Sequence, residues 1–220
     1  MAKILGIWGA GGLGREVLEL AEIINIREHR WDKYIFIVDG VTNREVSGVE
    51  VFEYVEAKGE FGSELEVVVG IGEPVIREDK FKLLNEDGVT TPTLIHPDIH
   101  IPETTDIGKG VVIQYGCFVS CGVKISDHVY IQPLAAIGHD DVVGKNCIIS
   151  SYASLAGNVH IGDNTYVAPG TIIKESIRIG TFSIIGLGSI VHRDIPDGVI
   201  ALGNPARPMK NNDTKKVFGR

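Results

Sequence analysis

The sequence predicts a small parallel α/β domain followed by a parallel β-helix, and three observations predict it. Strand, glycine turn and helix alternate over the first ninety or so residues. From Ile95, stepping six residues at a time as far as Val191, every position is Ile, Val or Leu. Four positions after most of these aliphatics comes a small or β-branched residue, among them Val111, Cys117, Val123, Ala135, Cys147, Ala153 and Thr165. The change of rule divides the chain into an expected domain over 1–92 and another over 93–220.

Residues 3–8 read as a short apolar strand, and Gly9-Ala10-Gly11-Gly12-Leu13-Gly14 follows as a turn. Residues 15–26 have helical spacing, with Val17, Leu18, Ala21 and Ile24 on one face. A second strand, 34–38, ends at Asp39-Gly40, and a third, 66–69, ends at Gly70-Ile71-Gly72. Residues 74–84 read as a helix with Pro74 in its first turn, where the missing N–H costs nothing. A period of six is not a multiple of 3.6, so the second half is not helical. A hexad with one large and one small inward residue builds one flat face of a triangular prism. Three hexads close one turn, and turns stack as parallel strands about 4.8 Å apart.

Composition bounds the function. The 220 residues are 44% hydrophobic with a formal net charge of -8, enough apolar material for a core but the wrong sign for a nucleic-acid partner. The longest apolar runs are broken by Gly or charge, so no membrane partner is expected. The N-terminus runs straight into a strand and glycine turn rather than a signal-peptide core. Three cysteines without metal-like spacing fit a reducing compartment, and the expected localisation is cytoplasmic.

The hexad repeat, together with Gly9-Ala10-Gly11-Gly12, Asp39, Ile95-His96-Pro97, Gly138-His139-Asp140 and Gly203-Asn204-Pro205-Ala206, resembles the left-handed β-helix acyltransferases. The N-terminal half is similar to one branch, the sugar acetyltransferases of the sialic-acid O-acetyltransferase and bacillosamine-pathway N-acetyltransferase type. The resemblance covers nearly the whole chain. It implies a homotrimer that moves an acetyl group from acetyl-CoA, as co-substrate, to the amino group of a nucleotide-linked amino sugar. Sugar O-acetylation is the alternative within the class. A non-catalytic scaffold that binds nucleotide sugars is the competing class.

Acetyl transfer needs a base for the acceptor proton, a groove for the thioester and a donor for the developing oxyanion. His139 is the candidate base, because imidazole titrates near neutrality and the residue lies two past Ile137, at a prism corner. Asp140 or Asp141 could hold its other ring nitrogen. The resemblance points to Asp140, whereas Asp141 falls in the inward slot, where a carboxylate needs partners. One turn away lie Cys121 below and Gly157 above, and Gly157 is expected to leave room for a ligand beside the imidazole. Cys121 reads as a corner filler rather than a nucleophile, since the family transfers directly; Cys117 and Cys147 read as core.

The family often carries a second His nine residues after the first. Here that position is Ile148, whose backbone N–H is expected to remain free for the thioester. The resemblance lays coenzyme A along the prism between subunits and carries its contacts onto Ile148, Gly157, Pro169 and Leu187, with Gly203-Asn204-Pro205 near the adenine. Gly9-x-Gly11-x-x-Gly14 opens a helix after a strand, an arrangement that offers N–H groups and a positive helix end to phosphate. The half-domain is too short for a full dinucleotide unit. By resemblance, Gly12, Leu13, Gly14, Asp39, Gly70 and Ile71 line a nucleotide-sugar site. His128, His139, His160 and His192 stand at different offsets from their aliphatics, so no zinc site is expected.

Overall fold

The computed structural model describes residues 3–218. The chain forms two compact units, one of residues up to Gly72 with Asp79–Pro97 and one of Glu73–Glu78 with Asp98 onward. The main break falls after Pro97, and the short segment Glu73–Glu78 groups with the second unit.

In the first unit β1 (Ile4–Trp8) leads into α1 (Gly12–Glu28) and β2 (Lys33–Ile37). A hairpin of β3 (Glu45–Val46) and β4 (Val49–Phe52) precedes α2 (Tyr54–Phe61) and β5 (Leu65–Val69), and α3 (Pro74–Glu86) closes the run. The sheet order is β3-β4-β2-β1-β5. β1 is central and parallel to both neighbours, with Trp8 opposite Ile37 and Val69. All five residues of β1 are buried, as expected for a parallel strand covered on both faces. Trp8, Ile35, Ile37, Val67 and Val69 share one core cluster with Phe81 and Leu84 of α3. Because β2 and β5 flank β1 on opposite sides, the carboxyl end of β1 is the topological switch point, the place where open α/β sheets bind ligands.

Three features depart from the expectation. α1 starts at Gly12, three residues early, with Gly11 as its N-cap. The β3–β4 hairpin turns on Ser47 and Gly48, both at positive φ (52° and 77°), and this two-residue Ser-Gly turn was its sequence signal. α2 starts with a capping box in which Glu53 takes the role usually held by Ser or Thr, while the Glu56 side chain bonds the Glu53 amide.

The second unit is the expected solenoid. Two-residue strands stack into three faces. The first contains Lys124–Ile125, Val142–Val143 and His160–Ile161, the second Tyr130–Ile131, Ile148–Ile149 and Tyr166–Val167, and the third Phe118–Val119, Ala136–Ile137 and Ser154–Leu155. Each residue pairs in parallel with the one a full turn later, as Val143 does with Ile161 and Ile137 with Leu155. Every sixth residue from Ile113 to Val191 is 3% exposed or less. Ile101 and Ile107 are only half-buried, because the stack packs them from one side. Replacing Ile149 with Val removes one methylene from this core and should cost about 0.5–1.5 kcal/mol of unfolding free energy in a denaturant titration.

The corners obey a second rule. Every sixth residue from Gly110 to Gly188 has a left-handed backbone, including His128, Leu134, Asp140, Asn146, Tyr152, Asn158, Asn164, Ser176 and Phe182. That conformation turns the chain sharply and throws the preceding side chain outward.

The outward side of the second face is covered. The Arg77 guanidinium is fully buried 5.5 Å from the Tyr130 ring centroid and donates from Nη2 to the His128 carbonyl at 2.9 Å. Phe218 meets Tyr166 edge-on, and the Val217 and Phe218 amides donate to the buried Glu73 carboxylate at 2.8 to 3.0 Å.

Candidate active site

His139 and Asp140 occupy the corner between Ala136–Ile137 and Val142–Val143. Asp140 takes the left-handed slot with φ 59°, a conformation that Asp tolerates better than most residues. Its Oδ2 lies 2.9 Å from His139 Nδ1, and the imidazole is 54% exposed. A carboxylate can only accept, so in the neutral ring the proton sits on Nδ1 and Nε2 keeps its lone pair. Two glycines make space for the pair. A Cβ on Gly157, one turn above, would stand 2.7 Å from Nε2, and one on Gly122, on the turn below, 2.5 Å from Asp140 Oδ1. The room above is therefore filled by the imidazole itself rather than left for a ligand, which corrects the sequence expectation for Gly157. Cys121 is exposed and supplies its carbonyl to the Asp140 amide; Cys117 and Cys147 are buried, and burial pushes their thiols up to about 11 and 12.

Asp141 is fully buried in the inward slot but is not unpaired. Its Oδ2 accepts the Gly138 amide at 2.7 Å and its Oδ1 the Val159 amide at 2.8 Å. Burial outweighs these bonds and pushes its carboxyl up to about 6. Because the folded value lies above the unfolded one, the group stabilises the fold most when protonated, and that contribution is lost as pH rises through about 6.

Ile148 departs from expectation. It belongs to the covered second face, is 1% exposed, and its N–H donates to the Thr165 carbonyl at 3.0 Å. The ladder consumes that amide, so it offers no hydrogen bond to a thioester. Pro169 and Leu187 stack one turn apart, joined by the Gly188 amide and the Pro169 carbonyl, and Leu187 is 76% exposed. They lie on the edge between the second and third faces, whereas His139 and Gly157 lie on the edge between the third and the first. One protomer does not bring these four positions into one cleft. Gly203-Asn204-Pro205 forms the turn between the antiparallel strands Val199–Gly203 and Ala206–Asn211.

At the switch point of the first unit, the glycines divide into two kinds. A Cβ on Gly14 would run into the Gly9 carbonyl, and one on Gly70 would stand 2.7 Å from the Gly14 Cα, so these glycines let the loops pack backbone to backbone. Gly11 and Gly12 face open space at the head of α1, where first-turn N–H groups lack intrahelical partners. Gly14 and Gly70 are buried, and Leu13 and Ile71 are partly exposed. The Asp39 side chain is largely exposed and pairs with Lys80 Nζ at 2.5 Å. Lys80, on α3, also holds its ammonium 4.5 Å from the Trp8 ring centroid. Sequence reading missed Lys80. A helical Lys three residues after Arg77 gives no local sign that it meets a strand end forty-one residues earlier.

Among the described residues no group of three or more His, Cys, Asp or Glu side chains could hold a metal ion. No helix among them is long and apolar enough to cross a membrane.

Residues 4–84 match the PglD N-terminal domain family, and 140–175 match the bacterial transferase hexapeptide family of six repeats. The acetyltransferase domain of PglB from Neisseria gonorrhoeae is 29% identical and superimposes with a TM-score of 0.87 over 94% of this chain and 100% of that one. PerB from Caulobacter crescentus, solved with CoA and GDP-perosamine, is 26% identical with a TM-score of 0.85 over 96% and 98%. The acyl-carrier-protein-dependent UDP-N-acetylglucosamine O-acyltransferase of Pseudomonas aeruginosa is 36% identical over 107 residues, 48% of this chain. The chain spans 42% of the length of that curated relative.

Proposed function

We propose, for a chain that is a left-handed β-helix acetyltransferase carrying a PglD-type N-terminal domain, that it acetylates the amino group of a nucleotide-linked amino sugar from acetyl-CoA. The observation that carries this reading is the His139–Asp140 pair, exposed on a solenoid corner with Nε2 free to accept a proton. His139 Nε2 takes a proton from the sugar amine as its nitrogen attacks the acetyl carbonyl. The new C–N bond forms, the C–S bond breaks, and the proton passes to the departing thiolate. Asp140 holds the tautomer and stabilises the imidazolium.

An amine acceptor is favoured over a hydroxyl by coverage. The O-acyltransferase relatives match half of this chain, whereas the Caulobacter GDP-perosamine N-acetyl transferase matches 96% of it. A non-catalytic scaffold would not require two glycines to clear space for an imidazole and its carboxylate. In the first unit, the open head of α1 at Gly12 and Leu13 would receive the diphosphate, with Gly14, Gly70 and Ile71 shaping the floor. Asp39 would take the ribose or base edge. Lys80 holds Asp39 in place before the ligand arrives.

Coenzyme A would run between copies of the chain in a homotrimer, the Pro169–Leu187 edge of one protomer completing the His139 edge of its neighbour. Tyr115, Leu134, Tyr152 and Leu187 expose apolar surface along that edge, and Phe118 and Ile172 on the face beside it, a strip that suits a subunit contact. Sedimentation equilibrium should return a trimer. The cytoplasm, where acetyl-CoA and nucleotide sugars occur together, is the proposed location.

Thermal-shift screening against nucleotide sugars tests the substrate class, since a specific ligand stabilises by mass action. One nucleotide amino sugar should raise the midpoint and its base-swapped analogues should not; no shift with any of them would count against the reading. Asp39→Ala should raise KM for that sugar about tenfold with kcat nearly unchanged, because it removes a charge-assisted hydrogen bond made equally in ground and transition states.

A further inference from the structure

The solenoid ladder changes at one corner. At Ser120, Ser126, Gln132, Gly144 and Ser150, the amide just after the inward aliphatic donates to the carbonyl seventeen residues on. Gly138 holds the same position, but its amide donates to Asp141 Oδ2. The other carboxylate oxygen reaches up to the Val159 amide on the next turn. Gly138 directly precedes His139, and Val159 lies two residues after Gly157, the glycine against Nε2. Asp141 therefore grips the chain on both sides of the imidazole. Its neighbours in the inward column, Val123, Ala135, Cys147, Ala153 and Val159, are uncharged.

We propose that Asp141 is a positioning residue for the acetyl transfer, its carboxylate replacing a ladder rung at the His139 corner to set the position of the imidazole against Gly157. The inference rests on His139 being the base. A buried carboxylate is a poor way to stabilise a core slot that Val or Ala fills elsewhere. Two charge-assisted bonds offset part of the burial cost, one on the amide that directly precedes His139 and one on the turn above it. A backbone rung fixes only the distance between strands. A carboxylate that holds one amide of its own turn and one of the turn above ties both to a single point. The titratable groups acting on it are His139 and Asp140 on its own turn; the corner below carries the Cys121 thiol, and Gly157 and Asn158 at the corner above carry no titratable group.

Asp141→Val, which makes the corner like its neighbours, separates positioning from folding. The melting temperature at pH 8 should hold or rise, since the variant loses a carboxyl whose contribution disappears above about 6. kcat should fall about tenfold with KM for acetyl-CoA nearly unchanged, the effect of a displaced base. Asp141→Asn keeps one acceptor and should fall between wild type and Val. At pH 8, the peptide containing Val159 should exchange its amides faster in Asp141→Val than in wild type, because the Val159 N–H loses its carboxylate acceptor. Full kcat in a folded Asp141→Val, or wild-type exchange of the Val159 peptide in that variant, overturns the proposal. If His139→Ala also keeps full kcat, it is the underlying assignment of the base that fails.

Discussion

Alanine at His139 should lower kcat by roughly 10²-fold or more, with KM for both substrates within about a factor of two. The geometry sets this expectation. Asp140 occupies Nδ1 at 2.9 Å, so Nε2 is the ring atom left to take a proton, and it is presented on an exposed corner. Removing the ring leaves the amine protonated or forces its proton onto water, but it leaves the proposed nucleotide contacts untouched, because the residues assigned to them lie in the first unit. The variant should bind the nucleotide sugar with wild-type affinity by calorimetry. An equal kcat in the variant would return the chain to the scaffold reading.

Gly157→Ala should have the second largest effect, about a 10²-fold loss in kcat. Gly157 sits at φ 133°, which L side chains rarely adopt, and its added Cβ would stand 2.7 Å from His139 Nε2. The methyl group must push the imidazole off its site or bend the turn, and the backbone strain adds about 1–3 kcal/mol of destabilisation in a denaturant titration. The two consequences separate by assay, since a folded variant with low kcat and normal KM has lost the position of the base. A folded variant with full kcat would mean that the reacting imidazole does not lie against this glycine.

The solenoid was legible because its core is one-dimensional. One inward aliphatic per hexad, repeated without a break, fixes strand spacing, stacking and corner placement together, and it put His139 on a corner. The left-handed slot was also written in the sequence, as Gly110, Gly116, Gly122, Asp140, Asn146, Asn158, Asn164, Gly170 and Gly188. Leu134, Tyr152 and Phe182 in the same column blurred it, because the ladder holds even a bulky residue in that conformation.

The site was less legible where it depends on partners far apart in sequence. Nothing local at Ile148 says that its amide is spent on Thr165, or that Arg77 and the segment around Phe218 cover its face. Asp141 could be seen to need partners, but the diverted Gly138 rung that supplies one exists only once the turns are stacked. In the first unit the glycine fingerprint was read as a phosphate loop. Half of it, Gly9 and Gly14, serves the packing of one backbone on another, and only the glycines between them are open.

Wild-type protein incubated with acetyl-CoA and a nucleotide-linked amino sugar such as GDP-perosamine, with its hydroxyl analogue in parallel, gives the most direct test, read by mass spectrometry and by thiol release. The account predicts one acetamide formed per coenzyme A thiol released, and no ester on the hydroxyl analogue. Thiol release at the background hydrolysis rate with every nucleotide amino sugar, or acetyl ester on the analogue, would contradict it.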